Sequence, residues 1–528
     1  MVQRGTGRVV VVGAGIGGLA AALDLAARGF EVLVLERAAA PGGKMREVAV
    51  GGEGGARLDA GPTVFTMRWV FEDLFDAASA SIADHLTLKP ATVLARHAWD
   101  GGGGRLDLFA DVARSADAIG AFAGAAEARG FRAFCDRARR VYRALEGPFI
   151  RAARPTPFSL AAAAGPSGLA GLMGASPFTT LWRALGDHFR DPRLRQLFAR
   201  YATYCGSSPF LAPATLMLVA HVEQEGVWLV EGGMHRLARS MEELARARGA
   251  TFRYGAEVAE IRVESGRAAG VALSTGERLD AAAVLVNADA AAVASGLFGP
   301  AARGALPPAE RRDRSLSALT WAMLAEVEGF PLLRHTVFFS DDYPSEFEAL
   351  FGRRRLPAAP TTYVCAQDRG AAEDDLAPSG PERLLCLVNA PATGDTTPPS
   401  QAEIERCETA TFRLLERCGL TLRRRDSVLT GPAGFEKLFP ATGGALYGRA
   451  SHGWAASFAR PGARTALPGL YLAGGSAHPG AGVPMAALSG RLASSSIASD
   501  LAKATAANTR ASTARSRATA TPGGTWTR

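Results

Sequence analysis

The chain has 528 residues, of which 48% are hydrophobic, and it carries a formal net charge of +8. This length is too great for one compact core, so we expect two or three domains. The 51 acidic residues are interspersed with the basic ones and no aromatic-basic binding motif occurs, which excludes a nucleic-acid-binding protein. The net positive charge is also consistent with attraction of the protein to anionic lipid head groups.

None of the six cysteines forms a C-x-x-C pair, so the sequence predicts neither a zinc site nor a redox dithiol. The polar segment that precedes Arg8 is too short for a signal peptide, and a predicted strand follows it directly. We therefore expect reduced core cysteines, no metal centre and a cytoplasmic protein.

The first element is a strand–turn–helix–strand unit between Arg8 and Glu36. Four valines at 9–12 predict a buried parallel strand, and Gly-Ala-Gly-Ile-Gly-Gly follows at 13–18. An Ala/Leu-rich helix then runs to Arg28, and a second strand ends in the acidic residue. This order and spacing are typical of a dinucleotide-binding unit.

Each glycine of this turn has a different role in binding a dinucleotide. Gly13 permits the sharp turn, Gly15 lets the backbone approach a pyrophosphate, and Gly18 lets the helix pack on the strands. The helix N-terminus offers free N–H groups to the phosphates. Glu36, 21 residues after Gly15, can accept from ribose hydroxyls and disfavours the 2′-phosphate of NADP. The residues assigned to the dinucleotide are Gly13, Gly15, Gly17, Gly18 and Glu36.

Two segments downstream decide between FAD and NAD. Pro-Gly-Gly-Lys at 41–44 and Asp-Ala-Gly-Pro-Thr at 59–63 resemble the second and third signatures of the two-domain FAD oxidases and desaturases. The resemblance implies that the first segment lies along the FAD phosphates and the second near the isoalloxazine. The sequence contains no second strand with G-x-G-x-x-G, which argues against a pyridine-nucleotide domain. The implied contacts are Arg37, Gly43, Lys44, Gly61, Pro62 and Thr63.

The stretch from Pro155 to Trp182 carries no charge and has the length of a membrane-spanning helix. Pro157, Pro166 and Pro177 argue against an uninterrupted helix, because each proline removes a backbone hydrogen bond that lipid cannot replace. Two interpretations stay open. One is a pair of short apolar helices that dip into one leaflet; the other is a buried helical hairpin that covers a substrate cavity.

After residue 225 the pattern returns to that of the nucleotide domain. Val284 to Asp289 predicts a buried strand with a polar tip, and the resemblance implies that the backbone of Val258 meets the adenine. Strand-like segments between 301 and 424 predict a mixed substrate sheet. Residues 506–528, rich in Ala, Thr, Ser and Arg, are predicted to be disordered.

The closing motif, residues 469–485, consists of a buried strand, a glycine-rich loop and the start of a small-residue helix. Such a helix N-terminus stabilises negative charge at flavin N1/O2. Many FAD enzymes place an acid directly after the Ala-Gly of this strand to hold the ribitol, whereas Gly475 and Ser476 stand here, which puts that contact in question. The residues assigned to the cofactor are Gly474, Gly475, Gly482, Val483, Pro484 and Met485.

These patterns predict an α/β protein with a discontinuous Rossmann-like FAD-binding domain, a mixed-sheet substrate domain and a helical, membrane-associating insertion. The FAD-binding domain is assigned to residues 1–95, 225–300 and 425–505. The helical and substrate region is assigned to 96–224, and the substrate sheet to 301–424.

The chain as a whole resembles the bacterial phytoene-desaturase-type carotenoid enzymes, most specifically in His-Pro-Gly-Ala-Gly at 478–482. Residues 59–71 and 85–90 resemble the hydroxyneurosporene and methoxyneurosporene desaturase branch. The resemblance implies introduction of a C-3,4 double bond into acyclic 1-hydroxy or 1-methoxy carotenoids, with hydride transfer to flavin N5. His478 is the candidate polar group near the flavin, or it fixes the loop. Arg68 meets the hydroxyl end of the substrate, or packs at the cavity mouth.

Two alternative functions share the same sequence motifs. They are phytoene desaturation and the isomerisation or saturation of a polyene. A non-catalytic carotenoid-binding protein that keeps FAD for structure is an alternative of another class. A flavin amine oxidase, which uses a lysine near flavin N5, is disfavoured because the chain has only four lysines. The implied partners are an acyclic carotenoid, a membrane lipid surface, and oxygen or a quinone as electron acceptor. The lipid-soluble substrate and the membrane surface imply that the protein lies on the cytoplasmic side, peripheral to the inner membrane.

Overall fold

A computed structural model describes residues 7–52, 54–160, 162, 178–308, 310–370, 372, 375 and 378–518, with side chains described to residue 507. Most of the uncharged stretch from Pro155 to Trp182 lies outside the described residues, and both interpretations of it therefore stay predictions. The α-helices are Ile16–Ala27, Arg68–Ala77, Val112–Ala123, Ala125–Leu145, Leu181–Leu185, Pro192–Ala199, Leu218–Glu225, His235–Ala247, Ala290–Ser295, Pro300–Arg303, Tyr343–Phe347, Gln401–Arg417, Pro432–Leu438 and Val483–Ala518.

A five-stranded parallel sheet carries the N-terminal unit. Its strands in spatial order are Leu470–Leu472, Ala283–Val286, Arg8–Val12, Glu31–Glu36 and Thr251–Tyr254. Successive side chains of a strand point to opposite faces. Val9 and Val11 accordingly pack with the helical layer, whereas Val10 and Val12 pack with residues of a second, three-stranded sheet. The valine run is buried because both faces are covered, which confirms the predicted strand.

The three-stranded sheet is antiparallel and comprises Val258–Glu264, Arg267–Leu273 and Arg278–Asp280. Two short antiparallel pairs complete this part of the molecule. They are Glu47–Val50 with Ala56–Asp59, and Leu88–Pro90 with Trp228–Val230.

A seven-stranded mixed sheet forms the second layer. Neighbouring strands are antiparallel except for one parallel pair, His335–Phe339 with Val93–Trp99. The predicted mixed sheet is therefore present, but it also takes Val93–Trp99 and Gly104–Phe109 from outside the range 301–424. The order is Leu420–Thr430, Ser317–Gly329, Glu382–Ala390, Thr362–Ala366, His335–Phe339, Val93–Trp99 and Gly104–Phe109.

Helices between residues 112 and 225 build a separate aromatic core. Phe134, Phe189 and Phe198 lie within it, with ring centroids 4.7 to 5.6 Å apart. Short 3₁₀ segments at Arg200–Cys205 and Ala214–Met217 connect these helices. Within the described residues, none of the helices is both long and apolar enough to cross a bilayer.

The helix Val483–Ala518 crosses the first helix of the chain. A Cβ at Gly490 would lie 2.2 Å from the carbonyl oxygen of Gly17, so this crossing requires glycine. The helix continues through residues 506–518, where the sequence predicts disorder. The structure differs there because this segment is rich in Ala and Arg, both strong helix formers.

Candidate active site

A cavity with a volume of about 940 Å³ is lined by both large sheets and by the aromatic core region. Its polar part is lined by the glycine turn, Glu36 and the closing motif. Its apolar part is lined by Leu, Val and Phe side chains, and Phe178 and Trp454 also line it. These two residues are 70% and 45% exposed, so the cavity opens to the surface there.

Three glycine segments meet at the polar part of the cavity with their backbones in contact. A Cβ at Gly18 would lie 2.1 Å from the oxygen of Gly13, and one at Gly17 would lie 2.8 Å from the nitrogen of Gly474. A Cβ at Gly43 would lie 3.1 Å from the Cα of Gly15. No side chain fits at these points, so the three backbones can approach one another and a bound pyrophosphate closely.

The Glu36 carboxylate lies at the end of its strand and on the cavity wall. Its two oxygens accept from the backbone N–H groups of Ala14 and Ala38, at 2.7 and 2.8 Å. A carboxylate has about four acceptor sites, so two stay available for ribose hydroxyls. Arg37 instead donates to the carbonyl oxygens of Lys437 and Leu438, at the C-terminal end of the helix Pro432–Leu438.

Lys44 and the segment 61–63 lie on the same wall. The Lys44 ammonium donates to the carbonyl oxygen of Leu446 at 2.7 Å, and burial lowers its pKa. A Cβ at Gly61 would lie 1.9 Å from the Lys44 carbonyl oxygen, so this approach requires glycine. Thr63 Oγ1 lies 2.7 Å from Tyr363 Oη, which connects the segment to the mixed sheet.

The polar tip predicted at 284–289 lies against the glycine turn. Asn287 Nδ2 donates to the carbonyl oxygen of Ala473 at 3.1 Å. Its Oδ1, like Oδ2 of Asp289, is buried without a hydrogen-bond partner among the described residues. A buried acceptor without a donor is costly, so these two atoms fit a ligand that brings hydroxyl groups. The cradle and these two acceptors therefore fit the ribose and ribitol hydroxyls and the pyrophosphate of FAD.

The closing motif also reaches the cavity. Gly474, Gly475 and residues 482–485 line it, and the final helix begins at Val483 with its N-terminus on the wall. Arg460 donates to the carbonyl oxygens of Gly475 and Tyr447 at 3.0 and 3.1 Å. Sequence patterns did not identify Arg460, because a lone arginine between two glycine-rich segments carries no signal.

The profile of the flavin containing amine oxidoreductase family matches residues 16–498. The chain belongs to this family. It is 55% identical over 525 residues to "Hydroxyneurosporene desaturase" of Rubrivivax gelatinosus, covering 99% of this chain and 97% of that protein. It is 47% identical to the protein of the same name from Cereibacter sphaeroides, covering 94% and 98% of the two chains. These matches confirm the resemblance to carotenoid desaturases.

Among solved structures, putrescine oxidase bound to putrescine has a similar fold, with a TM-score of 0.56 and 15% identity over 94% of this chain and 99% of the other. The flavin amine oxidase-type α/β fold with mixed sheets is therefore confirmed. Family membership also confirms the predicted flavin cofactor, which the glycine cradle and Glu36 fit.

The two predicted catalytic residues of this flavoprotein do not line the described part of the cavity. His478 Nε2 lies 3.0 and 2.9 Å from the carbonyl oxygens of Phe149 and Ala152, so this nitrogen carries a proton and donates it. Burial lowers the pKa of His478, which favours the neutral ring. Of the two roles considered for His478, the geometry supports the one in which it fixes the loop.

Arg68 differs from its predicted role in a similar way. Its Nε donates to Glu72 one helical turn away at 2.7 Å, and its guanidinium lies 6.0 Å from the ring centroid of Trp228. These contacts occupy the side chain at the surface of its helix. Of the two roles considered for Arg68, the geometry supports packing.

Asp59, the first residue of the third FAD signature, is buried and accepts from the N–H groups of Met234 and His235 at 2.7 and 3.1 Å. It therefore caps the helix His235–Ala247 at the end where a negative charge is favoured. Burial raises the pKa of the Asp59 carboxyl, and the two backbone hydrogen bonds oppose that rise.

Sequence patterns missed a polar group in the apolar part of the cavity. Arg200, Tyr204 and Glu223 line it among leucine and valine side chains. They come from the segment Arg200–Cys205 and from the helix Leu218–Glu225. Neither segment has a motif, so only the folded chain brings these residues together.

Proposed function

We propose that the chain is an FAD-dependent desaturase that introduces a C-3,4 double bond into acyclic 1-hydroxy or 1-methoxy carotenoids. The observation that supports it best is the continuity of the flavin cradle with a largely apolar cavity. A polyene is a long hydrocarbon and needs such a lining. The identity of 55% over 525 residues to a hydroxyneurosporene desaturase supports the same substrate class.

The chain's residues divide the work of this reaction. Bound FAD supplies a two-electron acceptor for the hydride that leaves the substrate. The backbone N–H groups at Gly15 and Gly43 bind the pyrophosphate, and Glu36 orients the ribose. The helix that begins at Val483 offers a positive N-terminus to negative charge on the ring. The apolar lining orients the polyene and excludes water. Conjugation stabilises the charge left after hydride loss, so the accompanying proton needs no strong base.

An anaerobic reduction experiment tests this proposal. We expect the purified flavoprotein to lose its oxidised flavin absorbance when 1-hydroxyneurosporene is added in liposomes without oxygen, and the product mass to fall by two hydrogens. Reduction of the flavin by phytoene but not by 1-hydroxyneurosporene would favour the phytoene desaturase alternative. A new isomer of unchanged mass would favour an isomerase. No response to any polyene would contradict the proposal, and re-oxidation by oxygen or a quinone would identify the acceptor.

We further propose that the cavity mouth contacts the cytoplasmic side of the inner membrane. Phe158, Phe178 and Trp454 are 88%, 70% and 45% exposed, and the rings of the last two lie 5.6 Å apart. Aromatic side chains favour the membrane–water interface. A lipid-soluble substrate would then enter directly from the bilayer.

Removing these aromatics is expected to weaken membrane binding. The triple variant F158S/F178S/W454S loses three apolar contacts, each worth about 1.5 kcal/mol or more when fully buried, so we expect at least tenfold weaker binding in liposome flotation. The matched control is L429S, which removes an exposed leucine from the outer strand of the mixed sheet. Equal flotation of the triple variant and the wild type would contradict the proposed mouth contact.

A further inference from the structure

The polar group in the apolar part of the cavity is internally connected. Arg200 Nη2 donates to Tyr204 Oη at 2.5 Å, and Tyr201 Oη donates to Glu223 Oε2 at 2.7 Å. Arg200, Tyr204 and Glu223 line the cavity, whereas Tyr201 is buried behind them. We call these three lining residues the end-group cluster.

The end-group cluster leaves donors and acceptors facing the cavity. A guanidinium has five N–H donors, and among the described residues Arg200 uses one of them in a hydrogen bond. Glu223 accepts from Tyr201 and also interacts with the Tyr204 hydroxyl, and of its roughly four acceptor sites these two groups fill two. Val219 and Val222 line the cavity beside Glu223, so the nearest lining residues of the same helix are apolar.

Burying such groups is unfavourable unless a partner satisfies them. Burial raises the pKa of the Glu223 carboxyl, and the hydrogen bond from Tyr201, the charge of Arg200 and the hydrogen bond from Tyr204 oppose that rise without cancelling it. A hydrocarbon chain can pack on the valines of this wall but cannot satisfy its charged groups. The cluster therefore fits a ligand that is apolar along its length and polar at one point.

The position of the cluster agrees with the site of reaction. His335 Nδ1 lies 2.7 Å from Tyr363 Oη, which in turn contacts Thr63 of the third FAD signature. Arg200, Tyr363 and Thr63 all line the cavity. The end-group cluster and the third FAD signature therefore face the same space. In a 1-hydroxy carotenoid, C-1 is two bonds from C-3, so a group that holds its oxygen must lie close to the reacting bond.

We propose that the end-group cluster recognises the tertiary oxygen at C-1 of the substrate. Arg200 donates to that oxygen, Glu223 accepts from its hydroxyl hydrogen, and Tyr204 positions Arg200. This inference rests on the proposed desaturase function. It also ranks the ligands: a hydroxyl uses both residues, a methoxy group uses only Arg200, and an unsubstituted end uses neither.

The test compares 1-hydroxyneurosporene with neurosporene, which lacks the oxygen. Their dissociation constants are measured on the holoenzyme by fluorescence quenching, beside kcat and KM for the hydroxylated compound. The wild type should bind the hydroxylated compound more tightly. In R200Q and E223Q this preference should fall by about tenfold to a hundredfold, the usual value of a hydrogen bond to a charged group. The dissociation constant for neurosporene should not change.

The matched control is E225Q, on the same helix two residues away, where the side chain is 68% exposed. It should keep the wild-type preference. Flavin content and melting temperature report whether each variant folds. If E223Q does not fold, Y201F removes only the hydrogen bond behind Glu223 and should weaken the preference in the same direction.

The outcomes separate the inference from the function on which it rests. Equal binding of both compounds by the wild type, or an equal loss for both compounds in the variants, overturns the inference and leaves desaturation intact. A preference for the hydroxylated compound without any desaturation overturns the proposed function alone. A fall in preference with desaturation of 1-hydroxyneurosporene by the wild type supports both.

Discussion

Replacing Gly18 with valine is expected to abolish flavin binding. A Cβ at this position would lie 2.1 Å from the oxygen of Gly13 and 3.0 Å from Oδ1 of Asn287. Gly13 cannot retreat, because its N–H donates to the carbonyl oxygen of Leu35 at 2.8 Å. The helix Ile16–Ala27 must therefore move away from the turn, and its N-terminus must leave the pyrophosphate position.

Overpacking of this kind costs about 1–3 kcal/mol or more, and the misplaced N–H groups add the loss of their phosphate contacts. We therefore expect FAD affinity to fall by about a hundredfold or more, since each factor of ten corresponds to about 1.4 kcal/mol. The measurement is the ratio of flavin to protein absorbance after purification, followed by titration of the flavin-free protein with FAD.

The control for this variant is G304A. A Cβ at Gly304 meets no heavy atom within 4 Å, and its φ of −77° suits any residue. The control should retain the wild-type flavin content and melting temperature. A G18V protein that keeps a full complement of flavin would show that the close approach of turn and helix is not required.

The N-terminal unit was predictable because its determinants are local. The four valines, the glycines of the turn and Glu36 lie within 29 residues. Each feature can be interpreted from the residues next to it in the sequence. The strand–turn–helix order follows from periodicity and glycine geometry alone. Most strands of the second sheet were predictable from short alternating segments, whereas its one parallel pair joins His335–Phe339 to Val93–Trp99, which are distant in sequence.

Side-chain roles were less accessible to sequence reasoning because they depend on distant neighbours. His478 is held by carbonyl groups more than 300 residues earlier in the chain. Arg200 and Glu223 belong to segments without a motif and become a unit only through folding. His478 was predicted to be catalytic because it is a histidine in a glycine-rich loop. The hydrogen bonds of its ring to two carbonyl oxygens support a role in fixing that loop instead.

A second large effect is expected at Glu346, which lies in the short helix Tyr343–Phe347 and is 1% exposed. Its carboxylate accepts from the N–H of Thr361 at 3.2 Å and from Nδ2 of Asn389 at 3.3 Å. Burial raises the pKa of Glu346 to about 7, and these hydrogen bonds oppose the rise only in part.

The sign of the pH dependence follows from that shift. Below about pH 4.5, the ordinary value, the carboxyl is protonated in both the folded and the unfolded chain and contributes nothing. Between pH 4.5 and 7 the unfolded chain releases its proton first, so the free energy of unfolding falls as pH rises. Above pH 7 the loss reaches its full size, about 3 kcal/mol at 1.36 kcal/mol per pKa unit.

The variant E346Q should remove this loss while keeping the shape of the side chain. Its amide oxygen can accept from Thr361, and its NH₂ can donate to Asn389 once that amide turns over. We expect E346Q to raise the melting temperature by several degrees at pH 8 and to leave it nearly unchanged at pH 5. The control is E348Q, whose parent side chain is 61% exposed and which should change neither value. An equal effect of E346Q at both pH values would mean that the fold does not hold Glu346 protonated, because a carboxyl with the same pKa in the folded and unfolded chain gives no pH-dependent difference.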